Sequence, residues 1–488
     1  MEIIPDRNPF LIRFLEQRMI AGDPQTALIV EQSDGTLRSY DWTELGELVE
    51  ITCRYLLKKI PQQPAIELTK IGYLSDNSIT DILLSLACMK LGFTEFPFDH
   101  RLPEHEIQAR WSTVQGLWVV GDELLSTLAD TSNWKQLPSI ADFAPTNPDT
   151  TALVLWTSGT TGQPRGVELS HASLLGNAWS KLKAVPQNRT DVRLSILPLC
   201  HAYARTCDLG TWLISGCTLA TSLGYRGLER LAPMVRPTLI NVVPSIAKRI
   251  LEDQQLAGLD RLRLLGCGGA GLPIEAFKCW SEDRGVIVIQ GYGLTETAPV
   301  ICSATPNQSH PGLVGHFVDG WEHKVERQQL FVRGPNMMQG YWNDSTATAN
   351  KIDANGWLAT GDQVEFDAKT GQLRVLGRCD DVIVLDTGKK LHPQLIERSV
   401  NEIEGIERSM LTMRSKLELW IDLNPQAAQS SHESNRIDKE LKNLMLAIPD
   451  LGNCEVQRFK SSLMAESGEL TTKGTLRRTQ IIANRFSV

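Results

Sequence analysis

The sequence predicts an α/β protein: a large N-terminal domain of parallel-rich αβαβα sheets with a small β-barrel-like unit, followed by a small α+β C-terminal domain. Three observations lead there. From about 190 to 300, strand-like runs (RLSILPL, CTLAT, PTLINVV, LRLLGC, VIVIQGYG) alternate with helix-like ones (LERLAPMV, PSIAKRILEDQQLAG). That is the pattern of strands joined by crossover helices. From 311 to 380 the strands shorten and the turns close up (KVERQQLFVRG, GQLRVLG), which suggests a compact β-rich unit. After Gly377-Arg378 the order changes to strand, helix, strand, long polar helix and a basic end. The predicted division is therefore 1–380 and 381–488.

Taken in order, the segment SYDWTELGELVEITCRYLLKKI places Leu45, Leu48, Ile51, Leu56 and Leu57 on one helical face, with Asp41 as N-cap. Residues 78–91 form a second helix candidate, and Pro97 opens a turn. The stretch APTNPDT is a Pro/Asn/Asp linker before a short apolar strand at 152–156, and a Gly/Thr-rich loop follows. In the tail, DVIVL and LELWIDL read as strands, PQLIERSVNEI as a helix, 434–447 as a polar helix and AAQSSHESNR as a polar loop.

Composition narrows the function classes. The chain has 488 residues, with 42% hydrophobic and 22% charged, which fits a packed globular protein and excludes a mainly disordered one. Net charge is −8, from 49 Lys+Arg against 57 Asp+Glu, so the basic excess of a general nucleic-acid binder is missing. No two of the ten cysteines form a CxxC pair, which argues against the common zinc spacings. Scattered in this way, they are expected to be reduced, buried thiols of a cytoplasmic protein. The first twenty residues mix charges with apolar groups and do not read as a secretory leader. The longest apolar run, 79–93, is broken by Asp81 and Lys90 and is shorter than the ~18 residues a membrane span needs. No transmembrane segment is expected, and peripheral membrane contact stays open.

Four short segments carry chemistry. The first is Thr157-Ser158-Gly159-Thr160-Thr161-Gly162-Gln163-Pro164-Arg165-Gly166, directly after the 152–156 strand. Small residues let backbone N–H groups approach an anion, hydroxyls donate to phosphate oxygens or help hold Mg²⁺, and Arg165 adds positive charge. It is not a Walker A loop, because no G-K-[ST] follows. A flexible linker would share the composition but has no need of this order after a strand. The second is Gly291-Tyr292-Gly293-Leu294-Thr295-Glu296-Thr297, where an aromatic ring between glycines can lie against a base and Glu296 can ligate Mg²⁺. A turn capped by Thr295 is the plainer alternative. The third, Gly356-Trp357-Leu358-Ala359-Thr360-Gly361-Asp362, places an Asp at a Gly turn, suited to ribose hydroxyls or to a simple Asx turn. The fourth is Gly377-Arg378-Cys379-Asp380-Asp381, a charged linker when read alone.

Together these segments resemble the adenylate-forming superfamily of acyl-CoA synthetases, firefly-type luciferases and peptide-synthetase adenylation domains. The resemblance covers roughly 25 to 480, with the motifs in the family's order. It implies that 157–166, with Thr157, Ser158, Gly159, Thr160, Thr161 and Gly162, is the phosphate loop. It further implies that Tyr292 stacks on adenine and that Gly269-Ala270-Gly271 backs the adenine. Thr295 would contact phosphate, Glu296 would bind Mg²⁺ with Thr160, Asp362 and Arg378 would hold the ribose, and Asp380 would be the hinge of a mobile small domain. The implied reaction activates a carboxylic acid with ATP to an acyl-adenylate and pyrophosphate, after which a thiol, usually coenzyme A, displaces AMP.

The segment Leu197-Pro198-Leu199-Cys200-His201-Ala202-Tyr203-Ala204-Arg205-Thr206 matches the family's acyl-pocket border, with His201 and Gly291 as pocket residues. Amino-acid-activating relatives carry an Asp there, and this chain has His201-Ala202. A buried ammonium would then lack a counter-charge. The H-x-x-x-R-T pattern and Val243-Pro244-Ser245 are closest to long-chain acyl-CoA ligases, so a fatty acid is the expected substrate. An acyl carrier protein is the alternative acceptor. The chain departs from the family in three places. Arg165 stands for the usual Lys of the phosphate loop and keeps its charge. Leu395 stands where a Glu is common. Thr475 stands where the family carries the lysine it presents to the adenylation site, and Lys473 lies two residues earlier. Either Lys473 reaches the site by a shift of its loop, or the first half-reaction is slow or lost, leaving a nucleotide-binding homologue.

Overall fold

The computed structural model describes residues 10–32, 34–60, 69–130, 145, 147–157, 164–385, 389–414, 416–448, 451, 454–464, 467–470 and 476–486. The alternating run forms the larger of two parallel-rich sheets. Its nine strands lie in the order His316–Phe317, Val300–Ser303, Ile287–Gly293, Leu264–Cys267, Leu239–Val242, Val192–Ser195, Thr218–Thr221, Thr26–Glu31, Leu37–Asp41. From Ile287–Gly293 to Thr26–Glu31 every pairing is parallel; the two edges are antiparallel. Leu239–Val242 and Leu264–Cys267 are buried at every position. That is why, Asn241 apart, they read as apolar runs: each face of a parallel sheet is covered.

The second sheet has six strands, in the order Gly340–Tyr341, Gly166–Ser170, Thr151–Trp156, Thr94–Asp99, Lys70–Ser75, Leu117–Trp118. The helix Trp42–Lys59 starts on a reciprocal cap: Glu44 N donates to Asp41 Oδ1 (2.8 Å) and Asp41 N donates to Glu44 Oε2 (3.0 Å). Its Trp42 stacks on Trp212, with ring centroids 5.2 Å apart. The apolar run 79–93 supplies a buried core helix, Ile79–Leu91. Asp81 is tolerated within it because Ser75 Oγ (2.5 Å), Asn77 N (3.0 Å) and Tyr73 Oη (3.1 Å) all donate to its carboxylate. Among the described residues no helix is long and apolar enough to cross a membrane.

The β-rich unit is a four-stranded antiparallel sheet, Glu322–Glu326, Gln329–Arg333, Leu358–Phe366, Leu373–Arg378. It is an open sheet, with no closed barrel among the described residues. Beyond the turn Cys379–Asp381, side chains from Ile383 to Cys454 form their own apolar cluster around the strands Ile406–Met413, Leu417–Leu423 and Glu455–Arg458. Here the sequence reading needs a correction. The stretch AAQSSHESNR is not a loop: the helices Pro425–Gln429 and Ser431–Ala447 run through it, capped by Asn424 (accepting from Ala427 N, 2.7 Å) and Ser430 (accepting from Glu433 N, 3.3 Å). Only Ile437 and Leu441 of the longer helix are buried, so its sequence shows a thin apolar stripe.

Candidate active site

The strand Ile287–Gly293 leads into a short turn of 3₁₀ helix, Thr295–Thr297. A side chain on Gly293 would overlap the Pro299 carbonyl oxygen, so the strand can end there only on glycine. Thr297 Oγ1 accepts from Leu294 N (3.0 Å) and donates to Pro299 O (2.7 Å). Asn177, from the helix His171–Ala184, donates to Thr297 O (3.1 Å) and accepts from Val300 N (2.9 Å). Thr295 and Glu296 are thus presented on a braced turn. Tyr341 Oη donates to Glu296 Oε1 (2.7 Å).

The third and fourth sequence segments meet on adjacent strands. Asp362 pairs with Arg378 in the antiparallel register of Leu358–Phe366 and Leu373–Arg378. Arg378 Nη1 donates to Asp362 Oδ1 (3.2 Å) and Thr360 O (3.0 Å). Tyr292 Oη donates to Asp362 Oδ2 (2.6 Å). Burial raises the Asp362 pKa against the opposing pull of Arg378 and Tyr292, and burial also pushes the Tyr292 phenol well above its ordinary value. Lys351 Nζ donates to Thr360 O (3.2 Å), and burial lowers its pKa although Glu296 acts in the other direction. The structure therefore gathers Tyr292, Asp362 and Arg378 directly, with Lys351 linking them electrostatically to Glu296. Tyr341 and Lys351 were not singled out in the sequence; both arrive from a segment whose only signal is its polar, turn-rich composition.

Thr157 and Arg165 close the base of the Gly/Thr-rich loop, with Thr157 N donating to Arg165 O (2.9 Å). Ser158, Gly159, Thr160, Thr161 and Gly162 between them lie outside the described residues, as do Lys473 and Thr475. The Arg165 guanidinium lies 5.5 Å from the centre of the Tyr341 ring and its Nε 3.6 Å from Asp344 Oδ2. Gly269 and Ala270 are exposed after the strand Leu264–Cys267, and a side chain on Gly271 would overlap the Arg398 guanidinium from the helix Pro393–Val400. Asp380 is exposed in the turn Cys379–Asp381, 3.7 Å from Arg378 Nη2.

A cavity of about 120 Å³ opens beside the turn. Phe98, Leu102, Leu155 and Trp156 form an apolar wall; Thr157, Thr295, His201 and Asp99 form a polar one, joined by Arg110 and Arg477. Gly291 pairs with Ser303 on its strand and does not line this cavity. His201 Nε2 lies 3.7 Å from Asp99 Oδ2. Burial works against the Asp99 charge, but the bidentate Arg101 (2.8 and 2.6 Å) outweighs it and holds the carboxyl below its usual range. The H-x-x-x-R-T pattern has a structural basis. Arg205 Nε donates to Leu199 O (3.1 Å) and Nη2 pairs with Glu95 Oε1 (2.5 Å), while Thr206 Oγ1 donates to Ala298 O (2.7 Å). These bonds hold the His201 segment between the two large sheets.

Similarity to known proteins agrees with this geometry. The model of the AMP-binding enzyme family matches residues 17–342. The chain is 24% identical over 549 aligned positions to the peroxisomal long chain acyl-CoA synthetase 6 of Arabidopsis thaliana, covering 91% of this chain and 76% of that protein. It is 26% identical over 388 positions to a chloroplastic long-chain-fatty-acid–[acyl-carrier-protein] ligase of the same plant, covering 60% of this chain and 53% of that protein. Among solved structures, the anthranilate CoA ligase AuaEII in complex with anthranoyl-AMP superposes with a TM-score of 0.83 at 18% identity, over 97% of this chain and 96% of that one. The fold shared with that ligase and a family match across two thirds of the sequence lead to one conclusion: this chain belongs to the family of AMP-binding enzymes.

Proposed function

We propose that the chain activates a carboxylic acid with ATP, forming an acyl-adenylate and pyrophosphate, and then passes the acyl group to a thiol. The observation that carries this reading is the convergence of Tyr292, Asp362 and Arg378 beside the braced Thr295–Glu296 turn. Asp362 offers carboxylate oxygens to ribose hydroxyls, and Tyr292 is fixed by its hydroxyl with its ring available to a base. Thr295 and the base of the 157–165 loop face the cavity where phosphoryl oxygens would lie. Glu296 fits Mg²⁺: Tyr341 occupies Oε1, and one carboxylate beside a polyphosphate suits an ion that keeps most of its waters. When bound, Mg²⁺ would neutralise phosphate charge. The residues of the chain orient the acid and the nucleotide so that attack is effectively intramolecular.

A fatty or similarly apolar acid is the favoured substrate. Asp99 is the acid in the cavity wall, and Arg101 already neutralises it, so an α-ammonium group would find no free counter-charge there. The wall of Phe98, Leu102, Leu155 and Trp156 is apolar. The relatives act on long-chain fatty acids and on anthranilate, so an aromatic acid is the nearest competitor. Coenzyme A is the favoured thiol, with an acyl carrier protein as the second reading because one relative is named for that acceptor. Residues 381–488 would act as a mobile lid on 1–380, with its pivot at Asp380.

ATP–pyrophosphate exchange over long-chain, aromatic and amino acids tests the reading. Exchange is expected with apolar acids and not with amino acids. Adding coenzyme A or carrier protein then identifies the acceptor. No exchange with any acid would leave only a nucleotide-binding homologue.

A further inference from the structure

We propose that Arg477 is the cation which the C-terminal segment delivers to the adenylation centre, with Arg110 as the second guanidinium of an anion clamp. The assignment rests on the acid-activation reading above. Both residues line the cavity that also contains Thr157 and Thr295. They come from distant parts of the chain: Arg110 from the helix Glu104–Trp111, Arg477 from the residue preceding the helix Arg478–Phe486.

Their charges are compensated unequally. Arg110 pairs with Glu106 one turn earlier and lies over the Trp156 ring at 5.9 Å. Among the described residues, no carboxylate pairs with Arg477, and its buried Nε meets no hydrogen-bond partner. Asp99, in the same cavity wall, is taken by Arg101 on both oxygens. Burial lowers the Arg110 pKa, and the charge of Arg477 lowers it further, as expected for two guanidinium groups facing one space. A half-buried cation without a counter-ion is costly, and an anion held in the cavity relieves that cost. At about 120 Å³, roughly the volume of four waters, the cavity has room for an anionic headgroup at the guanidinium groups.

The position of Arg477 is set by its backbone. Arg477 N donates to Glu469 O (2.8 Å), and Leu470 bridges to Leu476. Glu469 is buried and held by Arg485. The guanidinium therefore enters the cavity from a backbone position fixed against Glu469 and Leu470.

The chemistry is a charge-stabilised transfer. A carboxylate oxygen of the acid forms a bond to the α-phosphorus of ATP. The bond from that phosphorus to the oxygen bridging the α- and β-phosphates breaks, and its electron pair leaves with pyrophosphate. No proton moves. Arg477 donates to oxygens that gain charge in the transition state, for which a planar guanidinium fork is suited.

The test is ATP–pyrophosphate exchange by the full chain and its R477Q, R477K, R110Q and K473A variants, with ATP affinity and melting temperature measured alongside. R477Q is expected to lower exchange about 100-fold or more, with ATP affinity within about threefold and melting unchanged. R477K is expected to restore part of the rate, and R110Q to lose about tenfold. K473A is expected to lose much less exchange than R477Q. Exchange by R477Q within about threefold of an active parent would overturn the assignment alone, as would a large loss confined to K473A. A parent inactive with every acid would overturn the acid-activation reading and this assignment with it.

Discussion

Glu296 and Tyr341 show how one hydrogen bond can define a site. The phenol occupies one carboxylate oxygen, which fixes the side chain; the other is the one proposed to face Mg²⁺. Glu296→Gln keeps the shape and removes the charge. It is expected to lower exchange about 100-fold, the scale on which a single electrostatic group acts in a water-poor site, and to flatten its Mg²⁺ dependence. Dependence identical to the parent would remove Glu296 from that role. Tyr341→Phe removes only the orienting bond, about 1 kcal/mol, and a loss of roughly five- to tenfold in exchange is expected at saturating ATP. A loss as large as that of Glu296→Gln would mean that Tyr341 touches the reacting groups itself. Tyr292, Glu296, Asp362 and Arg378 were singled out in the sequence because each belongs to a short segment marked by glycine, although three of them lie on strands. Tyr341 and Arg477 were not, because nothing local distinguishes them. Tyr341 meets Glu296 across 45 residues, and Arg477 and Thr157 line one cavity from distant parts of the chain.

The helix Arg478–Phe486 and the Leu470–Leu476 bridge before it depend on Glu469. Arg485 donates to both of its oxygens, and Ser467 Oγ donates as well (2.7 Å). The Arg485 bonds are the main cause of a carboxyl pKa lowered to about 2. A depressed acid pKa contributes stability that is present above the unfolded value, near 4.5, and is lost as pH falls toward 2. Glu469→Gln is therefore expected to cost about 1–3 kcal/mol at pH 7 and to speed amide exchange along the helix. The melting gap between parent and variant should close as pH falls from 4.5 toward 2. A gap independent of pH would mean that the ion pair does not brace the helix. The same region shows which elements a sequence conceals. Leu239–Val242 and Leu264–Cys267 are buried throughout and declare themselves as apolar runs. Ser431–Ala447 buries two side chains and is held by caps and by Arg436 between Glu433 and Glu440, so its first residues read as loop.

The proposed reaction divides between the two parts of the chain. Tyr292, Glu296, Asp362, Arg378, Thr157 and Thr295 all precede residue 381, and the hydrogen bonds that orient them come from residues that also precede it. The part after 381 has its own apolar cluster. Among the described residues, its polar contacts with the rest include Glu402, which accepts from Ile274 N (3.2 Å), and the Arg398 guanidinium against Gly271. Such a boundary can open without unpacking either core. Nucleotide binding and acid activation should then be separable. A fragment of residues 1–380 is expected to fold and to bind ATP within about tenfold of the full chain, because the pivotal contacts remain. It is expected to exchange pyrophosphate at less than about a hundredth of the parent rate, because Arg477 is gone and the cavity lies open to water. Calorimetry of the full chain should resolve two unfolding transitions, with ATP raising the one that the fragment reproduces. A fragment that fails to bind ATP would place the division elsewhere. A fragment that exchanges as fast as the parent would show that the second part supplies no group to the first half-reaction, and that its contribution begins with the thiol.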